Sequence, residues 1–191
     1  MGDRYSKILP ESYDEFNNAG IVIGTGDYYI EPDILNNFNI DAIVCCLNGN
    51  ILEYKQIFTK EINKKYNTEY SVDSSEINDF FLHYPLEDIY EYKISLFSNE
   101  MNIIHVVDWM YRKICMGKNI LVHCDMGLTR SPTVVCAYLM KYGTDFKTPK
   151  KMLFYDAYIL IKKYRNDDTK KRYVNIDIFI SELKMLEKMI S

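Results

Sequence analysis

Five residues separate Cys124 from Arg130 in the stretch HCDMGLTRSP, His123 to Pro132, and these residue types at this spacing suit phosphoryl transfer. The thiolate is the reactive form of cysteine, and converging N–H groups, a helix N-terminus and an arginine all favour it. Cys124 is therefore read as a nucleophile. The intervening backbone is long enough to curl round a tetrahedral dianion with its N–H groups inward, while the guanidinium fork of Arg130 closes the ring. Asp125, Met126, Gly127, Leu128, Thr129 and Arg130 are the candidate substrate-binding residues, with Gly127 supplying the unusual backbone dihedral that a tight anion cradle needs. Ser131 lies where its hydroxyl can bond to the sulfur and make it a better leaving group. Pro132 suits a first helical turn, where its missing N–H costs nothing.

Such a cradle needs a rigid element on each side. Ile120, Leu121 and Val122 form an apolar run before it, and Thr133 to Met140 is apolar nearly all round after it, the pattern of a buried strand, a turn and a buried helix. The helix then adds its positive end to the anion site. Upstream, Gly20 to Gly24 reads as a strand, Pro32 to Phe38 as a small helix and Asp41 to Leu47 as a buried strand. Gly24, Thr25 and Gly26 lack the third glycine of a dinucleotide fingerprint. Asn50 is expected to cap a helix from Ile51 to Tyr66, followed by a polar loop over Asn67 to Asp79, a strand over Phe80 to Leu86 and a loop from Glu87 to Glu91. A long amphipathic helix is expected from Ser98 to Gly117. After the central helix, which glycine at 143 should end, Thr148 and Pro149 suggest the start of another reaching Arg165. The charged stretch Arg165 to Arg172 reads as a solvated loop, and a last helix is expected from about Asn175.

His123, Cys124, Gly127, Arg130 and Ser131 reproduce the pattern H-C-x-x-G-x-x-R-S, and on these residues the chain resembles the cysteine-dependent protein phosphatases, in particular their small dual-specificity branch. The resemblance implies an α/β fold, a single domain with a central mostly parallel sheet flanked by helices, spanning residues 20–191 after an N-terminal extension of residues 1–19. It implies that His123 orders the loop by hydrogen bonds. Cleavage of a phosphate ester also needs a proton for the departing oxygen, which a carboxylic acid facing the thiolate can supply. Tyr84 to Asp88, YPLED, is similar to the family segment that ends in the general acid, so Asp88 is favoured, with Glu87 as its competitor. The catalytic set is then Cys124, Arg130, Asp88 and Ser131, acting through a phosphocysteine with no cofactor and no metal. His83 and His105 lack a third ligand at metal spacing and are expected to be structural, as is Trp109.

Neither the tryptophan-proline-aspartate acid loop nor the aromatic recognition loop of the larger tyrosine phosphatases is evident, which points to a shallow pocket admitting phosphotyrosine and phosphoserine or phosphothreonine. Asp125, next to the nucleophile, and the absence of lysine within the loop disfavour phosphoinositides. Two rivals stand beside this reading. One is an RNA 5'-triphosphatase of the same superfamily; the other is a catalytically weak module that holds phosphoproteins. Ser131 with Pro132, where the RNA enzymes usually show threonine-glycine, and a pI near 5.4 count against the first.

The 191 residues, 48% hydrophobic and 26% charged with a net charge of -4, suit one globular domain and argue against bulk affinity for nucleic acid. The five cysteines are odd in number and mostly within apolar runs, as in a reducing compartment. With no apolar stretch of membrane-spanning length and no secretory signal, an intracellular, cytoplasmic protein is expected. Met1, Gly2 and Ser6 fit a myristoylation pattern, but Asp3 is a poor context for it. Lysine outnumbers arginine, and Ile, Asn and Tyr abound, as in AT-rich genomes such as those of large DNA viruses or protists. The expected partners are phosphorylated protein substrates, with a homodimer through residues 1–19 as an open possibility and no membrane or nucleic-acid partner.

Overall fold

The computed structural model describes residues 5–8, 19–25, 32–87, 95–98, 102–166 and 172–191. Five strands form one sheet in the order β1-β2-β5-β3-β4, where β1 is Tyr5–Lys7, β2 Gly20–Thr25, β3 Ile40–Cys45, β4 Phe81–His83 and β5 Asn119–Cys124. Strands β2, β5, β3 and β4 run parallel, and β1 pairs antiparallel with β2 at one edge. The central strand is β5, every residue of which is buried. A strand covered on both faces must be apolar at its centre, and NILVHC satisfies that from Ile120 to Val122.

The register brings the strand ends together. Thr25 lies opposite Cys124, and His123 lies between Gly24 and Cys45, so the C-terminal ends of three parallel strands converge where the chain leaves β5. In open α/β sheets that edge is where ligands bind. One face packs on α1 (Pro32–Asn37) and α2 (Leu52–Tyr66), around Leu35, Tyr54, Phe58 and Ile62. The other carries α4 (Ile103–Cys115), α5 (Arg130–Tyr142), α6 (Phe154–Arg165) and α7 (Ile180–Ile190), around Ile21, Val44, Val122, Val135 and Leu183. The core of this larger layer is α5, buried from Ser131 to Met140. No helix among the described residues is long and apolar enough to cross a membrane.

Several elements differ from the sequence reading. Tyr5–Lys7 joins the sheet and Ile8, 1% exposed, donates its N–H to Ile21 O at 2.8 Å, so part of the stretch read as an extension is built into the domain. The loop expected over Asn67 to Asp79 contains a further helix, α3 (Ser75–Phe80), started by Ser74, whose hydroxyl accepts the Ile77 N–H at 3.2 Å. Helix α4 begins at Ile103 rather than Ser98, because the Asn102 side chain accepts from both the Ile104 and His105 N–H groups. Thr148 does not start α6: its hydroxyl donates back to Asp145, whose carboxylate also accepts the Lys147 N–H at 2.9 Å. That helix starts at Phe154, whose N–H donates to Glu187 Oε1 of α7 at 2.7 Å. Helix α2 starts at Leu52, one residue later than expected, with Ile51 at its N-cap position; Asn50 precedes the cap and accepts the Leu52 N–H at 2.9 Å.

Candidate functional site

Cys124 ends β5 and Arg130 opens α5, so the sheet and the buried helix fix the two ends of the intervening loop. The loop turns inward at Gly127, where φ is +67°. Its N–H donates to Cys124 Sγ at 3.3 Å. A side chain at this position would place its first carbon 2.5 Å from Arg165 Nη2 and 2.8 Å from Gly24 O, so glycine is demanded by the close approach of β2 and α6 as well as by the dihedral. Ser131 Oγ, fully buried, stands 3.2 Å from the sulfur. The Cys124 sulfur therefore has a backbone N–H donating to it and a hydroxyl within hydrogen-bond distance, an arrangement suited to an anionic sulfur.

The cradle opens into a pocket of about 390 Å³. From the loop, Cys124, Asp125, Met126, Leu128, Thr129 and Arg130 line it, as the sequence suggests. Gly127 lies beneath, its N–H on the sulfur. Two further lining residues, Tyr173 and Asn175, come from the chain before α7, and sequence reasoning did not find them. Asn175 N donates to Leu128 O at 2.9 Å, tying this segment to the loop.

A buried arginine holds the loop from behind. Arg165, at the end of α6 and 5% exposed, donates from Nε to Gly127 O at 3.0 Å and from Nη2 to Met126 O at 3.4 Å. This corrects the reading of Arg165 as the start of a solvated loop. With its carbonyls drawn back towards Arg165, the loop is free to present its N–H groups forward, the polarity that an anion needs. The only sequence hint was a cation at the end of an apolar helix, a position that most often faces solvent.

His123 is buried and its ring stacks on Tyr54, with centroids 5.2 Å apart and planes at 15°. Burial, and next the neighbouring His83, push its pKa down to about 3, so the imidazole is neutral. Neither ring nitrogen has a hydrogen-bond partner among the described residues. The His123 carbonyl accepts the Cys46 N–H at 2.8 Å, which with the stack fixes the residue before Cys124. His83 is structural, its Nε2 lying 2.8 Å from Leu47 O.

Asp88 lies outside the described residues, which end there at Glu87. The described residues on either side of it are held by hydrogen bonds. Leu86 N donates to Cys46 O at 3.4 Å and Leu86 O accepts from Asn48 Nδ2 at 3.1 Å. On the returning side Leu96 O accepts the Tyr84 hydroxyl at 3.0 Å, and Leu96 N donates to Glu182 Oε1 of α7 at 3.0 Å.

A family model described as "Dual specificity phosphatase, catalytic domain" matches residues 28–172. The chain is 35% identical over 96 residues to dual specificity protein phosphatase 5 of Homo sapiens, covering 49% of this chain and 22% of that protein. It is 28% identical over 186 residues to dual specificity protein phosphatase MPK-4 of Drosophila melanogaster, covering 94% of this chain and 37% of the fly protein. The chain therefore spans well under half the length of these two relatives. Among solved structures the fold is similar to that of PTPMT1, with a TM-score of 0.61 at 19% identity, covering 97% of this chain and 95% of that one.

Proposed function

Because this chain belongs to the family of dual specificity phosphatase catalytic domains, we propose that it hydrolyses phosphotyrosine and phosphoserine or phosphothreonine in proteins through a phosphocysteine intermediate. The observation that carries this reading is the sulfur of Cys124, held between the Gly127 N–H and the Ser131 hydroxyl at the base of the pocket.

In the first step Cys124 Sγ attacks phosphorus, the P–O bond to the substrate side chain breaks, and Asp88 gives its proton to the departing oxygen. Arg130 and the loop N–H groups bear the charge on the equatorial oxygens. In the second, water attacks phosphorus, its proton passes to Asp88, and the S–P bond breaks. Ser131 then donates a hydrogen bond to the sulfur as it regains its electron pair.

The substrates in this reading are phosphorylated proteins met in a cytoplasmic setting. The loop carries the acidic Asp125 in the pocket wall and no lysine, which favours peptide phosphates over polyanionic headgroups.

The test is turnover of a phosphotyrosine and a phosphothreonine peptide with chelator present, for the native protein and for Cys124→Ser. Turnover abolished by the substitution supports the cysteine mechanism. Phosphopeptide bound without turnover by the native protein would replace it with the binding-module reading, and release of phosphate from triphosphorylated RNA alone would replace it with the RNA enzyme.

A further inference from the structure

The approach to the phosphate cradle is walled on one side by an aromatic ring that does not come from the cradle itself. Residues 173–176 alternate between exposed and buried: Val174 and Ile176 enter the core, while Tyr173 and Asn175 face out and line the pocket. The segment is held rigidly for so short a piece of chain. Val174 N donates to Asn166 Oδ1 at 2.8 Å, Val174 O accepts the Tyr158 hydroxyl at 3.3 Å, and Asn175 N donates to Leu128 O at 2.9 Å. Tyr173 is therefore carried by backbone fixed on both the α6 and the loop side, yet its own side chain is 48% exposed. The same pocket is lined from the loop by Met126, 57% exposed, and the half-buried Leu128.

We propose that Tyr173 is a specificity-determining residue, stacking on the ring of a phosphotyrosine whose phosphate occupies the Cys124 to Arg130 cradle, with Met126 and Leu128 completing an apolar mouth. The inference rests on the phosphatase reading and narrows its substrate class. A phosphotyrosine places a phenyl ring between phosphorus and peptide backbone, at the height of this mouth. Phosphoserine and phosphothreonine place only Cβ and its methyl there, too little surface to stack. Aromatic pairs contribute beyond their buried area, and apolar contact adds to that. Because the ring contact is the same before and during phosphoryl transfer, it should act on KM rather than kcat.

The experiment compares one peptide sequence carrying phosphotyrosine or phosphothreonine, with native protein, Tyr173→Phe and Tyr173→Ala, each checked for an unaltered thermal unfolding midpoint. Tyr173→Ala is expected to lower the phosphotyrosine to phosphothreonine ratio of kcat/KM about three- to tenfold, through a raised KM for the phosphotyrosine peptide. Tyr173→Phe, which keeps the ring, is expected to keep the ratio within about twofold. A ratio that does not move in Tyr173→Ala, or a loss shared equally by both peptides, overturns the inference while leaving the phosphatase reading intact. Failure of the native protein to turn over either peptide overturns both.

Discussion

Three buried cysteines of this chain are chemically quiet for a reason that sharpens the role of the fourth. Burial pushes the Cys45 thiol up to about 12 and holds Cys46 and Cys136 well above the ordinary value, with the neighbouring Cys124 adding to the effect on Cys46. Cys124 is also buried, with the Gly127 N–H donating to its sulfur at 3.3 Å and the Ser131 hydroxyl 3.2 Å from it, whereas Cys45 has a single backbone bond, from Leu47, against its burial. The residue before it contributes to pH response. The unfolded chain protonates His123 near the ordinary 6.5, whereas the folded protein keeps the ring neutral down to about 3. Between those values the unfolded state binds the extra proton, so stability that is full above 6.5 is lost as pH falls, by about 1.4 kcal/mol per pH unit. His123→Phe keeps a ring to stack on Tyr54 and removes the titration. Urea unfolding at pH 7.5 and 5.0 should show the native protein losing about 2 kcal/mol more than the variant across that interval. Equal losses would mean that the ring is solvated or paired in solution.

At the scale of elements, the phosphate loop is shaped by α6 as much as by the strand and helix that bracket it. Arg165 satisfies two loop carbonyls at once, which a planar guanidinium can do and a single ammonium does poorly. Arg165→Ala should cost about 2–3 kcal/mol of stability, since bonds to a charged donor are lost and buried carbonyls are left bare. It should also lower kcat/KM at least about tenfold through a loosened cradle, and Arg165→Lys should recover little of either. Urea melts and phosphopeptide turnover check both parts; full activity in a destabilised Arg165→Ala protein would show that the loop holds its shape unaided. The same element shows what the sequence could and could not reveal. Cys124, Gly127, Arg130 and Ser131 were legible because strand, loop and helix are contiguous and each residue type has a local reason to be there. Arg165 was not, because its partners lie 38 and 39 residues away and a cation at a helix end usually meets water. Tyr173 was missed for the same reason. The start of α6 was misplaced because its cap is Glu187 from another helix, whereas Thr148, which has the right type, is engaged by Asp145. Local chemistry was readable; tertiary capping was not.

Across the whole molecule, the sheet has one edge that the sequence reading left bare. Strand β2 is apolar and almost wholly buried, and on its outer side lies β1, whose register runs from Tyr5 opposite Gly24 to Lys7 opposite Val22. A flat apolar strand with an unpaired edge is a template for another chain, so β1 acts as its cover, and Ile8, 1% exposed, extends that cover into the core. Two roles for the N-terminal residues thus make opposite predictions. If they join two copies, removing them should convert a dimer to a monomer. If β1 closes the sheet within one chain, deletion of residues 1–8 should instead uncover β2 and promote association. The second outcome is expected, together with a loss of about 2–4 kcal/mol, from Ile8 burial and the strand pairing combined. Sizing chromatography across a concentration series, paired with urea unfolding, separates the cases: a truncated protein that elutes as a stable monomer at all concentrations would show that β2 needs no cover. Since β2 also supplies Gly24, against which Gly127 packs, the truncated protein should lose phosphatase activity in step with its sheet edge, linking a strand at the rim of the fold to the loop at its centre.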